Sequence, residues 1–150
     1  MRPRTLSFAA LASAAILTCS CVANIGSNRP GPADADAPQE FTQTASGLKY
    51  RILRKSDGRK PTASDLVKVH YAGWLDDTTE FDSSYSRGAP ADFALSSVIP
   101  AWTEGVQLIG EGGMIELEVP PELGYGAAGA PPKIPPNATL HFKVELLEVR

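Results

Sequence analysis

Few residues of this chain belong to the types that carry proton-transfer, nucleophilic or metal chemistry, and their spacing suits none of those tasks. His70 and His141 are the only imidazoles, each on an alternating strand pattern. Cys19 and Cys21 are the only cysteines and both lie near the N-terminus, so the folded part carries no disulfide and no thiolate metal site. No HExxH or Cys/His ligand spacing occurs, which argues against a zinc centre, and no cofactor is expected. There is no Ser-His-Asp set and no phosphate loop. Glu116 and Glu118 form a carboxylate pair, but they alternate outward on a strand and read as a solvated face. The net charge of −3, without a cluster of Lys and Arg, gives no electrostatic case for nucleic acid. A reaction carried out by this chain must need little acid–base machinery.

The chain does offer aromatic and apolar side chains with a few polar ones among them. Trp102 lies on an apolar helix face, Tyr71 and Phe142 sit on strands, and Phe81, Asp82 and Arg87 fall in a loop-like stretch. On residue type alone, Tyr71, Phe142, Val98 and Trp102 read as core. Asp82 reads as a turn residue. Tyr125, between two glycines, reads as a loop anchor.

The elements that must position these residues start with Val98 to Ile109, the one convincing helix. Ile99, Trp102, Val106 and Ile109 share a face at helical spacing. Pro100 suits a first turn, and Gly110, Gly112 and Gly113 end the helix. Almost everything around it alternates. Gly47 to Leu53 places Leu48, Tyr50 and Ile52 on one face. Val67 to Leu75 places Val67, Val69, Tyr71, Gly73 and Leu75 on one face, and Gly73 in mid-strand suggests a bend or a close backbone approach. Asp92 to Leu95, Met114 to Val119 and Thr139 to Val149 complete the strands. Residues 124–137 form a long Gly/Pro loop, and loops this long inside a compact domain are usually functional. The pattern predicts an α+β domain over 44–150: a curved antiparallel sheet of about five strands wrapped around one short helix.

The N-terminal part has a different character. Arg2 and Arg4 precede an apolar run, Leu6 to Leu17, that is shorter than the ~20 residues of a membrane span. It reads as a signal peptide over residues 1–20. Its end resembles the lipobox of bacterial lipoproteins, with Cys21 preferred as the acylated residue and Cys19 as the alternative. Cleavage near Ala23 without a lipid is the competing reading. Residues 21–43 have almost no large apolar side chain and are expected to form a flexible tether.

Five blocks carry a family resemblance: Val69 to Leu75 (VHYAGWL), Phe81 to Ser84 (FDSS), Val98 to Gly105 (VIPAWTEG), Pro121 to Gly126 (PELGYG) and Ile134 to Leu146 (IPPNATLHFKVEL). In this order they resemble the FKBP-type peptidyl-prolyl cis-trans isomerases, over roughly Ser46 to Arg150. Gly47 to Tyr50 (GLKY) and Arg87 to Pro90 (RGAP) look closest to the bacterial exported branch that includes the macrophage infectivity potentiators. The resemblance implies an FKBP-like fold and a rotamase that accelerates rotation about Xaa-Pro bonds, assisting the folding of exported proteins. A weakly catalytic peptide-binding or chaperone module of the cell envelope is the alternative. It implies catalytic roles for Asp82, Tyr125, Ile99 and Phe81, and substrate binding by Tyr71, Arg87, Val98, Trp102, Ile134 and Phe142, with Trp102 under the proline ring. It implies proline-containing polypeptides and tacrolimus-like macrolides as partners. That branch often carries an N-terminal dimerisation domain; here only the tether occupies the place, and a monomer is expected. With the lipobox it implies an exported envelope protein, lipid-anchored at the outer membrane or periplasmic side, or soluble in the periplasm or medium if cleaved near Ala23.

Several positions depart from the family pattern. Ala101 replaces a usual Gly. Thr78 stands where the turn usually has Gly, so a positive φ is not expected there. Ala91 and Ala130 replace larger residues, and Lys133 replaces an apolar one.

Overall fold

The computed structural model describes residues 29–150. The chain runs through β1 (Thr42–Gln43), β2 (Lys49–Arg54), β3 (Leu66–Leu75), β4 (Glu80–Ser83), α1 (Ser84–Arg87), β5 (Ala91–Ala94), α2 (Pro100–Val106), β6 (Met114–Val119) and β7 (Leu140–Val149). The strands form one sheet in the order β1-β2-β6-β7-β3-β4, with β5 pairing further along β3. Every pairing is antiparallel. The curved antiparallel sheet around a short helix is therefore present, with two more strands than expected. The additions, β1 and β4, are too short and too polar to show a period of two.

The two ten-residue strands β3 and β7 make the backbone of the site. Their register sets Tyr71 opposite Val144 and Gly73 opposite Phe142. Alternation puts Val67, Val69 and Tyr71 on the core face with Leu140, Phe142, Val144 and Leu146 of β7. Helix α2 crosses this face. Gly105 lets it approach β6 closely, since a β-carbon there would lie 2.8 Å from a Leu117 methyl.

The helix is shorter than Val98 to Ile109. Pro100 occupies its first turn and Ile99 is the N-cap, in an extended conformation at φ −58°, ψ 148°. Proline disfavours a helical residue before it, so Val98 and Ile99 stay outside. Ile109 follows in a turn and is still buried. In β2 the pairing is irregular between Ile52 and Arg54; Tyr50 and Ile52 still pack against the core, and Leu53 is buried outside that core cluster. At Thr78 the departure from glycine does not remove the left-handed turn: its φ is +67°. The Thr78 N–H still closes that turn on the Leu75 carbonyl at 2.9 Å.

The described part of the expected tether is docked on the domain. The Asp34 N–H donates to the Leu53 carbonyl at 2.7 Å, and the Lys55 N–H donates to the Asp34 carboxylate at 2.8 Å. Arg54 donates to the Pro32 carbonyl, Arg51 to the Gln39 carbonyl, and the Arg51 guanidinium lies 4.8 Å over the Phe41 ring. β1 then pairs with β2. Low apolar content disfavours an independent core, but backbone groups and short polar side chains satisfy one another along a sheet edge. The signal peptide, Cys19, Cys21 and Ala23 lie outside the described residues. Among the described residues no helix is long and apolar enough to cross a membrane.

Candidate functional site

A cavity of about 750 Å³ opens between the end of α2, the concave face of the sheet and the long loop after β6. Trp102 forms its floor and is 4% exposed. Three aromatic rings hold the indole edge-on: Tyr71 at 5.2 Å between centroids, Phe93 at 5.4 Å and Phe142 at 5.5 Å. Phe81 meets Phe142 in the same way at 5.5 Å. Such crossings suit the ring quadrupoles and fix orientation beyond what area burial does. The indole Nε1 is buried without a hydrogen-bond partner.

Each wall residue has an element that aims it. Alternation on β3 and β7 turns Tyr71 and Phe142 inward. β4 presents Phe81 and Asp82, and the link into α2 presents Val98 and Ile99. The Ile99 carbonyl caps α2 by accepting from the Trp102 and Thr103 N–H groups, at 2.9 and 3.2 Å. The long loop contributes Tyr125 at the mouth, where it is 43% exposed, and Ile134, which is buried.

One polar cluster stands at the edge. The Tyr71 hydroxyl and Arg87 Nη1 both donate to the Asp82 carboxylate, one to each oxygen. Arg87 Nη2 donates to the Tyr71 oxygen at 2.8 Å. The single turn α1 makes this possible. Ser83 caps it by accepting from the Ser86 N–H at 3.3 Å, Gly88 ends it at φ 73°, and the turn between them brings Arg87 to Asp82. Burial favours the neutral acid at Asp82, but the hydrogen bonds from Tyr71 and Arg87 outweigh it and hold the carboxyl below its ordinary range. Burial pushes the Tyr71 phenol up, and its bond to Asp82 adds to this. The hydrogen bonds to Tyr71 and Asp82 raise Arg87. At neutral pH the trio is therefore carboxylate, phenol and guanidinium. No member is poised to exchange a proton.

Of the ten residues expected at the site, nine line this one cavity: Asp82, Tyr125, Ile99, Phe81, Tyr71, Val98, Trp102, Ile134 and Phe142. Arg87 does not; it stands behind Asp82 and Tyr71. Phe93, Ser97, Pro131 and Pro132 also line the wall. Phe93 lies in the short strand read over Asp92 to Leu95, although nothing in that stretch singles it out, and the others lie outside the strands. Among the described residues no cluster of three or more His, Cys, Asp or Glu could hold a metal ion.

The sequence profile of the FKBP-type peptidyl-prolyl cis-trans isomerases matches residues 57–147. The FKBP-type peptidyl-prolyl cis-trans isomerase FkpA of Escherichia coli K12 is 52% identical over 115 residues, which cover 76% of this chain and 42% of that protein. The chain thus spans less than half the length of that relative. The crystal structure of FkpA from Escherichia coli superposes with a TM-score of 0.72 at 50% identity, covering 75% of this chain and 53% of that one. A peptidyl-prolyl cis-trans isomerase structure from Pseudomonas syringae pv. tomato gives 0.69 at 36% identity, covering 75% and 82%.

Proposed function

The chain belongs to the family of FKBP-type peptidyl-prolyl cis-trans isomerases, and from that premise we propose that it accelerates rotation about Xaa-Pro bonds of polypeptides held in the Trp102 cavity. The observation that carries this reading is an aromatic floor and wall with no proton-transferring group. The Xaa-Pro amide rotates over a barrier of roughly 18–20 kcal/mol, so uncatalysed exchange takes tens to hundreds of seconds. At the top of the barrier the amide is twisted and has lost its resonance, and it is less dipolar than the planar form. A dry apolar cavity favours the twisted state relative to water without moving a proton. Bringing ~100 s to ~10 ms needs about 5.5 kcal/mol.

In this reading Trp102 lies beneath the proline ring, with Tyr71, Phe81, Val98 and Phe142 as walls and Ile134 at the rim. The Ile99 N–H and the Tyr125 hydroxyl bind carbonyls of the peptide on either side. Asp82 faces the rotating carbonyl, and Arg87 acts through Asp82 and Tyr71 as a positioning residue. A fixed, already paired carboxylate needs no reorganisation as the amide twists. Tacrolimus-like macrolides occupy the same cavity.

The setting is part of the proposal. The basic start, the short apolar run and Cys21 (Cys19 as the alternative) fit an exported lipoprotein on the periplasmic side of a membrane, acting as a monomer on exported chains. The test is a prolyl isomerisation assay on the chain, with and without tacrolimus. Acceleration abolished by the drug is expected. Drug binding without acceleration would favour a peptide-binding module instead, and a folded protein that neither accelerates nor binds would overturn the reading.

A further inference from the structure

The cavity has one feature that rotation itself does not use, a cation on its rim. Only two strongly ionisable side chains line it, Asp82 and Lys133. The charge of Asp82 is balanced by Arg87. Lys133 is exposed, and among the described residues it pairs with no carboxylate. Its Nζ donates to the Phe81 carbonyl at 3.0 Å. This bond fixes the ammonium beside the first residue of the Asp82 edge, next to the wall formed by Phe81 and Ile134. An ammonium has three donors, so two remain beyond the one given to Phe81. The site therefore carries a net unbalanced positive charge where a bound peptide must leave the cavity.

We propose that Lys133 is a specificity-determining residue that selects peptides carrying a carboxylate on a residue flanking the proline. The inference rests on the isomerase reading of the same cavity. The proline ring occupies the floor whatever its neighbours are, so the flanking side chains are the parts of the substrate that reach the rim. A Glu side chain there meets an ammonium already held in place by Phe81, and less rotamer entropy is lost than for two free side chains. A Lys side chain meets like charge. The pair is exposed, so its effect on kcat/KM is small, about two- to five-fold, and is screened by salt.

The experiment measures kcat/KM on three peptides that differ only at the residue before proline, Glu, Gln or Lys, and on the matching set that varies the residue after it. The protein is the wild type, Lys133→Met and Lys133→Arg. In the wild type one of the two sets is expected to rank Glu above Gln above Lys at low ionic strength. The Glu-to-Gln ratio is expected to fall toward one in about 0.5 M salt, to fall equally in Lys133→Met, and to persist in Lys133→Arg. If Lys133 only ties the loop to Phe81, Lys133→Met slows all peptides by the same factor and the ratios stay put, which overturns the proposal. Wild-type turnover with no Glu preference in either set overturns it too, while leaving the isomerase reading intact. No turnover of any peptide overturns both. The salt series on the wild type decides the matter even if a variant fails to fold.

Discussion

Gly73 leaves the space that Phe81 fills. A β-carbon built on Gly73 would lie 2.6 Å from Phe81 Cζ, and 2.8 Å from the Phe142 ring. Both contacts are with rigid rings of the cavity wall, and neither ring can swing aside without moving the other, since the two cross edge-on. Gly73→Ala is therefore expected to destabilise the domain by about 1–3 kcal/mol, the range for overpacking. It is also expected to raise KM for a proline peptide. Urea denaturation alongside the isomerisation assay checks both; a variant with unchanged midpoint and unchanged KM would mean that the wall is looser than these distances.

Trp102 is packed as core and lines the cavity at once, so its removal should show in both properties. Trp102→Ala is expected to cost about 3–5 kcal/mol, the range for emptying a buried aromatic site. Trp102→Phe keeps most of the contacts with Tyr71, Phe93 and Phe142, so it should recover most of the stability. Thermal melts of the two variants make the comparison. An unchanged melt for Trp102→Ala would show that the indole is not held by its three neighbours.

Much of this site was legible because its main parts are periodic. Trp102 sat on a helical stripe, and Tyr71 and Phe142 sat on the two longest alternating strands. The signal failed where backbone geometry rather than side-chain period positions a group. β4 and α1 together span only Glu80 to Arg87, mostly polar, and no pattern in them announces that a single helical turn returns Arg87 to Asp82. The same is true of the segment before β1. Its composition suggests a free chain, yet it docks through backbone hydrogen bonds and the Arg54, Arg51 and Lys55 side chains, none of which has a period. Thr78 shows a third limit: a turn closed by its own hydrogen bond and flanked by paired strands can hold a β-branched residue at positive φ against its local preference.

The Tyr71–Asp82–Arg87 cluster sets the expected pH response. Asp82 has its carboxyl lowered in the folded state, so its contribution to stability is fully present above its ordinary value of 3.8 and is lost as pH falls through the lower folded value. Turnover should therefore be flat from about pH 5 to 8. Tyr71→Phe removes the donor to Asp82 and the acceptor for Arg87. A hydrogen bond to a charged group contributes about 1.5–3 kcal/mol when buried, and the two-fifths exposure of the Asp82 side chain brings this to about 1 kcal/mol. The variant is expected to lose kcat more than it gains KM, because the carboxylate is then free to swing. A pH–rate profile with a bell shape near neutrality would show instead that a proton transfer takes part.

The anchor can be tested without the enzyme assay. Cys21→Ser is expected to move the chain from the membrane fraction to the soluble one after cell disruption, and to abolish incorporation of labelled palmitate. Retention of label in Cys21→Ser but not in Cys19→Ser/Cys21→Ser would assign the lipid to Cys19. Soluble wild-type protein without label would remove the lipid and leave cleavage near Ala23.

The far side of the sheet carries its own titration. His70 is 3% exposed, stacks on Tyr85 at 4.7 Å, and has Nδ1 2.9 Å from the Ser84 hydroxyl. That hydroxyl also accepts the Tyr71 N–H at 2.8 Å. Opposite His70 across β7 lies Glu145, which accepts from the Tyr85 hydroxyl at 3.0 Å and is ion-paired with Arg54 at 2.5 Å. Burial lowers the imidazole below its ordinary 6.5, and the Glu145 charge only partly offsets this. The unfolded chain therefore binds a proton that the folded one refuses. Stability is complete above about pH 6.5 and declines as pH falls from there through the folded value. Urea midpoints at about pH 7.5, 6 and 5 are expected to drop for the wild type and to drop less for His70→Gln. Equal slopes for the two would place the acid sensitivity elsewhere than at His70.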